Sequence, residues 1–291
     1  MVTTGEGREL VVPGLGARVV VLPDAPALAR EAAAIICDRL GAAIADRGEA
    51  HLVLTGGSSA PALYRELASH RRDAVDWSRV HLWWGDERFV PRDHPESNAG
   101  AAFVLLLGVA AHSTASGMGA VATDVQAGVT DALPVPPPNV HPVPVDEAFA
   151  RAGDAGWAAA RYEESIAALV PRAADSGPAF DVVLLGVGPD GHILSVFPGS
   201  TALGPDAPVA LPVPAPEHVS PHIPRVTLRP SVLDDAGTIV VMLPGSAKAT
   251  IVRDVLAGER DPARWPAQLA VRDGAIWLLD EESAAQLATR S

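Results

Sequence analysis

The chain has 291 residues, 48% of them hydrophobic, with 22 Lys and Arg against 35 Asp and Glu and a formal net charge of −13. Such a chain can bury a large core, which excludes global disorder, and its acidic balance argues against wrapping a nucleic-acid backbone, which needs clustered cations. The single cysteine, Cys37, excludes an intramolecular disulfide and a Cys-rich metal site, and its Ala-rich surroundings read as core.

Strands and helices alternate along the chain. Arg18–Leu22 reads as a short strand. Asp24 follows as a helix N-cap, with a helix over Ala25–Asp46. His51–Thr55 is a buried strand ending in Gly56-Gly57-Ser58-Ser59, and a helix over Pro61–His70 carries proline in its first turn. Val80–Trp84 is a strand leading into Gly85-Asp86-Glu87-Arg88, and Asn98–Leu107 is helical. Residues 111–144 are rich in Gly, Ala and Pro and read as an irregular excursion with a short strand near Val140. Gly156–Val170 is a helix, Phe180–Leu185 an apolar strand, and the proline-rich 204–224 a loop. Thr238–Leu243 is a strand, Ser246–Leu256 a helix, and Ala275–Leu279 a last strand before a short terminal helix.

Near-continuous apolar strands separated by helices predict an α/β fold: a mostly parallel sheet with helices on both faces. Residues 1–17 read as an N-terminal tail and 18–291 as a single α/β domain. The N-terminus lacks the basic start and apolar run of a secretory signal, and the longest apolar run, 101–111, is too short to span a bilayer. The expectation is a cytoplasmic protein without membrane or nucleic-acid partners.

Four polar, glycine-rich segments follow strands, which would bring them to one sheet edge. Thr55, Gly56, Gly57, Ser58 and Ser59 join a strand to a helix, as a phosphate cradle does, because glycines admit close approach and the helix start offers free N–H groups. A plain tight turn with a capping serine is the competing reading. Gly245-Ser-Ala-Lys248 repeats the arrangement. Lys248 at a helix start opposes the helix dipole, a penalty that a bound anion would remove. Asp86 and Arg88 stand at another strand end, where Arg88 could bind phosphate, polarise a carbonyl oxygen, or pair with a local acid. Arg225 is a further phosphate candidate.

Gly186-Val-Gly-Pro-Asp-Gly191 matches the dinucleotide pattern G-x-G-x-x-G, but Pro198 arrives too soon for the helix that this pattern requires. Asp190 and His192 carry more information. An imidazole can take a proton from water, and a neighbouring carboxylate can hold its tautomer. No Gly-x-Ser-x-Gly elbow is present, so water is the simpler nucleophile. His218 and His222 have i, i+4 spacing, but prolines 216, 221 and 224 disfavour the helix that would align them, and no metal site is expected. His51 and His81 read as packed strand residues.

Together these segments resemble the 6-phosphogluconolactonase family. The resembling residues are Leu54-Thr-Gly-Gly-Ser-Ser59, Trp84-Gly-Asp-Glu-Arg-Phe-Val-Pro91 with His94-Pro-Glu-Ser-Asn98, Leu185-Gly-Val-Gly-Pro-Asp-Gly-His192 with Phe197-Pro-Gly199, and Pro224-Arg-Val-Thr-Leu228 through Gly245-Ser-Ala-Lys-Ala249. They run in order from about residue 18 to 280. The resemblance implies the fold shared with glucosamine-6-phosphate deaminase and hydrolysis of 6-phospho-D-glucono-1,5-lactone to 6-phosphogluconate in the oxidative pentose phosphate pathway, without a cofactor. It makes a sugar-phosphate lactone the partner and is compatible with either a monomer or a homodimer. His192 would be the general base, with Asp190 beside it. Thr55–Ser59, Asp86, Arg88, Arg225 and Lys248 would bind the substrate, with the division of work among the cations left open. Relatives usually have Thr-Ala-Ser-Leu-Phe-Pro after the histidine, whereas this chain has Ile193-Leu-Ser-Val-Phe-Pro198, which puts a nearby hydrogen bond in question. The deaminases carry Asn-Glu-Pro there, and Val196-Phe197-Pro198 favours the lactonase. A non-catalytic sugar-phosphate sensor is the alternative of another class.

Overall fold

The computed structural model describes residues 7–12, 16–109, 132–173, 177–204 and 206–287. The strands are β1 (Arg8–Leu10), β2 (Arg18–Leu22), β3 (Ala50–Leu54), β4 (Val80–Trp84), β5 (Asp86–Arg88), β6 (Val140–His141), β7 (Val182–Leu185), β8 (Ala210–Val213), β9 (Arg225–Leu228), β10 (Thr238–Leu243) and β11 (Ala275–Asp280). The helices are α1 (Ala25–Arg47), α2 (Ala60–His70), α3 (Asn98–Leu105), α4 (Val145–Ala150), α5 (Ala155–Leu169) and α6 (Ala249–Leu256). Eight strands form the main sheet in the order β1-β2-β11-β10-β7-β3-β4-β6. All pairs are parallel except β1 with β2. Every residue of β3, β7, β10 and β11 is buried, so both faces of the sheet are covered. The expected mostly parallel α/β architecture is therefore observed.

Local signals set many boundaries. Asp24 caps α1 by accepting the Ala27 N–H at 2.8 Å, and Gly48, at φ +84°, ends it in the left-handed conformation. Asp154 caps α5 through the Trp157 N–H at 2.9 Å. Other segments depart from expectation. Arg8–Leu10, inside the stretch read as a tail, pairs with β2. The 204–224 region contains β8, an edge strand whose Pro212 is exposed, a place where a missing N–H costs no ladder bond. Ser246–Lys248 forms a 3-10 turn, and α6 begins only at Ala249. The expected terminal helix is replaced by turns over 281–286, tied to β11 by the Ser283 N–H on Asp280 Oδ1 at 2.8 Å. Most of the excursion read over 111–144 lies outside the described residues, and β6 supplies the expected strand at Val140.

Chain order reverses in the middle of the main sheet. From β3 the succession runs outward through β4 to β6, and from β7 it runs the other way through β10 to β11. The carboxyl ends of β4, β3, β7 and β10 therefore meet at the switch point where open α/β sheets bind ligands. A small antiparallel sheet, β5-β9-β8, lies beyond β4.

β3, β4 and β6 together carry a stack of rings. His51 lies 4.9 Å from His81, His81 lies 5.2 Å from His141, and His141 lies 4.1 Å from Trp83, measured between ring centroids. Trp83 Nε1 donates to His51 Nδ1 at 3.1 Å, and His81 Nδ1 lies 3.0 Å from His141 Nε2. Burial holds all three imidazoles below their usual range, with His141 pushed down to about 4 from 6.5 by burial and then by the neighbouring rings. Glu49, near His51 and His81, opposes the shift. The unfolded chain therefore binds protons on these rings at a higher pH than the native state does. The contribution of these rings to stability should be complete above about pH 6.5 and fall as the pH drops toward 4, so it is isolated by comparing a ring variant with the parent. Urea unfolding at pH 7.5 and 5.0 checks this, and His141→Phe, which keeps a ring against Trp83, should lose less over that interval than the parent.

Candidate active site

After β7, residues Gly186–Gly191 form a tight turn. The Gly188 N–H donates to the His192 carbonyl at 2.9 Å, and the Gly191 N–H donates to the Gly188 carbonyl at 3.0 Å. Gly191 sits at φ +81°, which favours glycine. Gly188 has no space for a side chain, because a Cβ there would lie 2.0 Å from His192 Nδ1. The turn presents Asp190 Oδ1 to His192 Nδ1 at 2.5 Å, and to the His192 backbone N–H at 3.3 Å. Asp190 Oδ2 accepts from His218 Nε2 at 2.8 Å. Burial alone would raise this carboxyl, but the two histidines and the His192 N–H hold it well below the carboxylate range. An ionised carboxylate only accepts hydrogen bonds, so Nδ1 is the donor and Nε2 is the ring nitrogen left to act as acceptor.

The small sheet supplies two cations. Arg88 and Arg225 are direct partners in the antiparallel pair β5–β9. Like charges placed opposite each other repel. Arg225 is 3% exposed, and burial, then the charge of Arg88, lower its pKa. Its guanidinium is held by the carbonyls of Ile223 at 3.2 Å and Pro221 at 3.1 Å, and lies over the Phe197 ring. Arg88 donates to the Glu96 carbonyl at 2.8 Å. The Lys248 Nζ donates to the Val187 carbonyl at 2.7 Å, and burial lowers its pKa. The N–H groups of Gly245 and Ser246 donate to Asp280 and Glu282, so this loop directs its lysine, not those two amides, to the site.

One cleft of about 130 Å³ is lined by Thr55, Gly56, Gly57, Ser58, Ser59, Asp86, Arg88, His192, Arg225 and Lys248. These are all the residues expected from the sequence except Asp190, which stands behind His192. Ser59 caps α2 without a side-chain hydrogen bond, and Gly57 sits at φ +82°. Three cations and one carboxylate, Asp86, face the cleft, a positive site in an acidic chain. Asp86 is held from behind, accepting from Ser195 Oγ at 2.5 Å and from Asn98 Nδ2 at 3.2 Å.

Sequence reasoning missed Asn98, Ser195 and His218. Asn98 also lines the cleft and packs so close to Gly56 that a Cβ there would lie 1.9 Å from its Oδ1. The His94-Pro-Glu-Ser-Asn98 segment was the available signal for it. Nothing in the chain pattern could pair His218 with Asp190 across 28 residues. Ile193 is fully buried and outside the cleft lining, so the apolar substitution packs into the core. Among the described residues no group of His, Cys, Asp and Glu is placed to hold a metal ion, and no helix is long and apolar enough to cross a membrane.

The family described as glucosamine-6-phosphate isomerases/6-phosphogluconolactonase matches residues 23–278. The chain belongs to this family. It is 35% identical over 280 residues to a 6-phosphogluconolactonase of Mycobacterium leprae, covering 94% of this chain and 99% of that one. A 6-phosphogluconolactonase of Streptomyces coelicolor is 34% identical, with 93% and 94% covered. The solved 6-phosphogluconolactonase from Trypanosoma brucei superposes with a TM-score of 0.75 at 26% identity, covering 94% of this chain and all of that one. A monomeric glucosamine-6-phosphate deaminase shares the fold at 19% identity and a TM-score of 0.68.

The Asp190–His192 geometry depends on the bare backbone of Gly188. Gly188→Ala should push the imidazole off the carboxylate. In histidine-labelled protein the hydrogen-bonded Nδ1 proton of His192 should shift upfield or broaden away, while the circular dichroism spectrum stays unchanged.

Proposed function

We propose that this chain hydrolyses 6-phospho-D-glucono-1,5-lactone to 6-phospho-D-gluconate. The observation that carries the reading is the Asp190–His192 contact of 2.5 Å, with His192 lining a cleft that gathers Arg88, Arg225 and Lys248. The relatives named 6-phosphogluconolactonase, matched over nearly their whole length, support the same substrate.

In this mechanism His192 Nε2 takes a proton from water as the water oxygen attacks the lactone carbonyl. Asp190 steadies the imidazolium and keeps the ring oriented. The tetrahedral oxyanion forms beside the cations of the cleft, of which Arg225 is buried and therefore acts in a poorly screened setting. As the carbon–ring-oxygen bond breaks, the imidazolium returns its proton to the departing hydroxyl. The Thr55–Ser59 loop and the remaining cations hold the 6-phosphate, and a bound anion adds to the relief that Glu96 already gives the Arg88–Arg225 pair. Asp86, with its carboxylate tied to Ser195 and Asn98, is placed to receive a sugar hydroxyl.

His192→Ala should lower kcat by about 10²–10⁴-fold while substrate binding persists. Near-parental kcat in that variant would falsify the base assignment. Lys248→Ala should raise KM by roughly 10–100-fold through one lost charge-assisted contact, with a smaller change in kcat. Both are read by lactone hydrolysis corrected for the spontaneous rate. A wild-type rate no faster than that background overturns the lactonase reading, and ammonia release from glucosamine 6-phosphate would favour the deaminase alternative.

A further inference from the structure

The mechanism uses one oxygen of Asp190, and a second histidine occupies the other. Oδ1 receives the His192 ring at 2.5 Å, and Oδ2 receives His218 Nε2 at 2.8 Å. The two histidines approach from different parts of the chain, His192 from the turn after β7 and His218 from the segment that joins β8 to β9. That segment leads into Arg225, the first residue of β9, so the second partner of the carboxylate and a cleft cation lie on one continuous stretch of chain. The Phe197 ring sits among them, 4.7 Å from the His192 ring, 5.6 Å and edge-on from the His218 ring, and 5.3 Å from the Arg225 guanidinium carbon. Phe197 thus keeps the three groups apart, and the Asp190 carboxylate is what joins the two imidazoles. The His218 side chain is 53% exposed, so it meets solvent while its partner carboxylate is 15% exposed.

We propose that His218 is a positioning residue for His192, holding the Asp190 carboxylate from its far oxygen and limiting how tightly that carboxylate binds the catalytic imidazolium. A carboxylate with only one partner would concentrate its charge on His192, fixing the ring as a cation and removing the lone pair that must accept the proton from water. Sharing the charge with His218 weakens that pull on the ring that must accept the proton from water. The other charged groups facing Asp190 are Lys248 and Arg225, both on the cleft side. They do not occupy Oδ2. This role rests on the lactonase reading only for its effect on turnover, since the coupling of the two rings exists without substrate.

The test is the titration of the His192 ring in ligand-free, histidine-labelled protein, followed by NMR, together with the pH dependence of lactone hydrolysis. In His218→Ala the His192 midpoint should rise by at least about half a pH unit. The acidic limb of kcat should move the same way, with kcat near pH 7 falling about threefold or more. His218→Gln, which restores a donor of similar reach that does not titrate, should recover at least half of both effects. An unchanged His192 midpoint in His218→Ala overturns the proposal, whatever happens to kcat. A moved midpoint in a protein without lactonase activity upholds the role of His218 and overturns the substrate.

Discussion

Parallel pairing of β3 with β7 is the constraint on which the site depends. Leu52 lies opposite Val182 and Val53 opposite Val183, in strands buried on both faces. With no polar face to present, these strands take their register from how the side chains pack on each face, not from a polar–apolar alternation. With that register set, Thr55 and Gly186 emerge side by side at the carboxyl edge. β4 and β10 add their own exits on either flank. Four loops, from Thr55 to Lys248 along the chain, thereby share one cleft.

The small antiparallel sheet adds what the parallel sheet cannot. Glu87 of β5 is buried against the start of α3, and burial raises its carboxyl to about 7 even though the N–H groups of Ala99, Asn98 and Arg88 work to lower it. Asp86, Asn98, Ser195 and Thr227 form a continuous hydrogen-bonded set, with Ser195 N–H on Thr227 Oγ1 at 3.0 Å. These buried polar groups satisfy one another and lock β5, β9, α3 and the segment after His192 into one unit. The consequence is electrostatic: Arg88 and Arg225 stand opposite each other, their repulsion offset in part by Glu96 and Asp86.

Strain and close approach cluster in the same place. Leu194 adopts φ +55°, uncommon for a residue with a side chain, and its Cδ2 lies against the bare backbone of Gly85. Gly56 and Gly188 each abut a polar side chain, Asn98 and His192 respectively. Glycine here serves proximity more than flexibility. The same crowding explains why the pattern G-x-G-x-x-G in this chain serves an imidazole and a carboxylate.

Much of this was legible in the linear chain. Apolar runs separated by capped helices specify the parallel sheet, because a strand covered on both faces has no polar face to show. Strand-end glycines next to hydroxyl, basic and imidazole residues specify the cleft, because parallel strands deliver their ends to one edge. Weak or nonlocal signals hid the rest. β8 lies among prolines that usually mark loops, and β1 is a three-residue edge strand that exists through pairing with β2. The opposition of Arg88 to Arg225, the bond from His218 to Asp190 and the ring stack of His51, His81 and His141 join residues from separate elements, and no periodicity encodes them. Sequence determined which chemical groups stand at the strand ends. Tertiary structure alone decided which of them touch, because hydrogen bonds and charge pairs act over a few ångströms of space, not over distance along the chain.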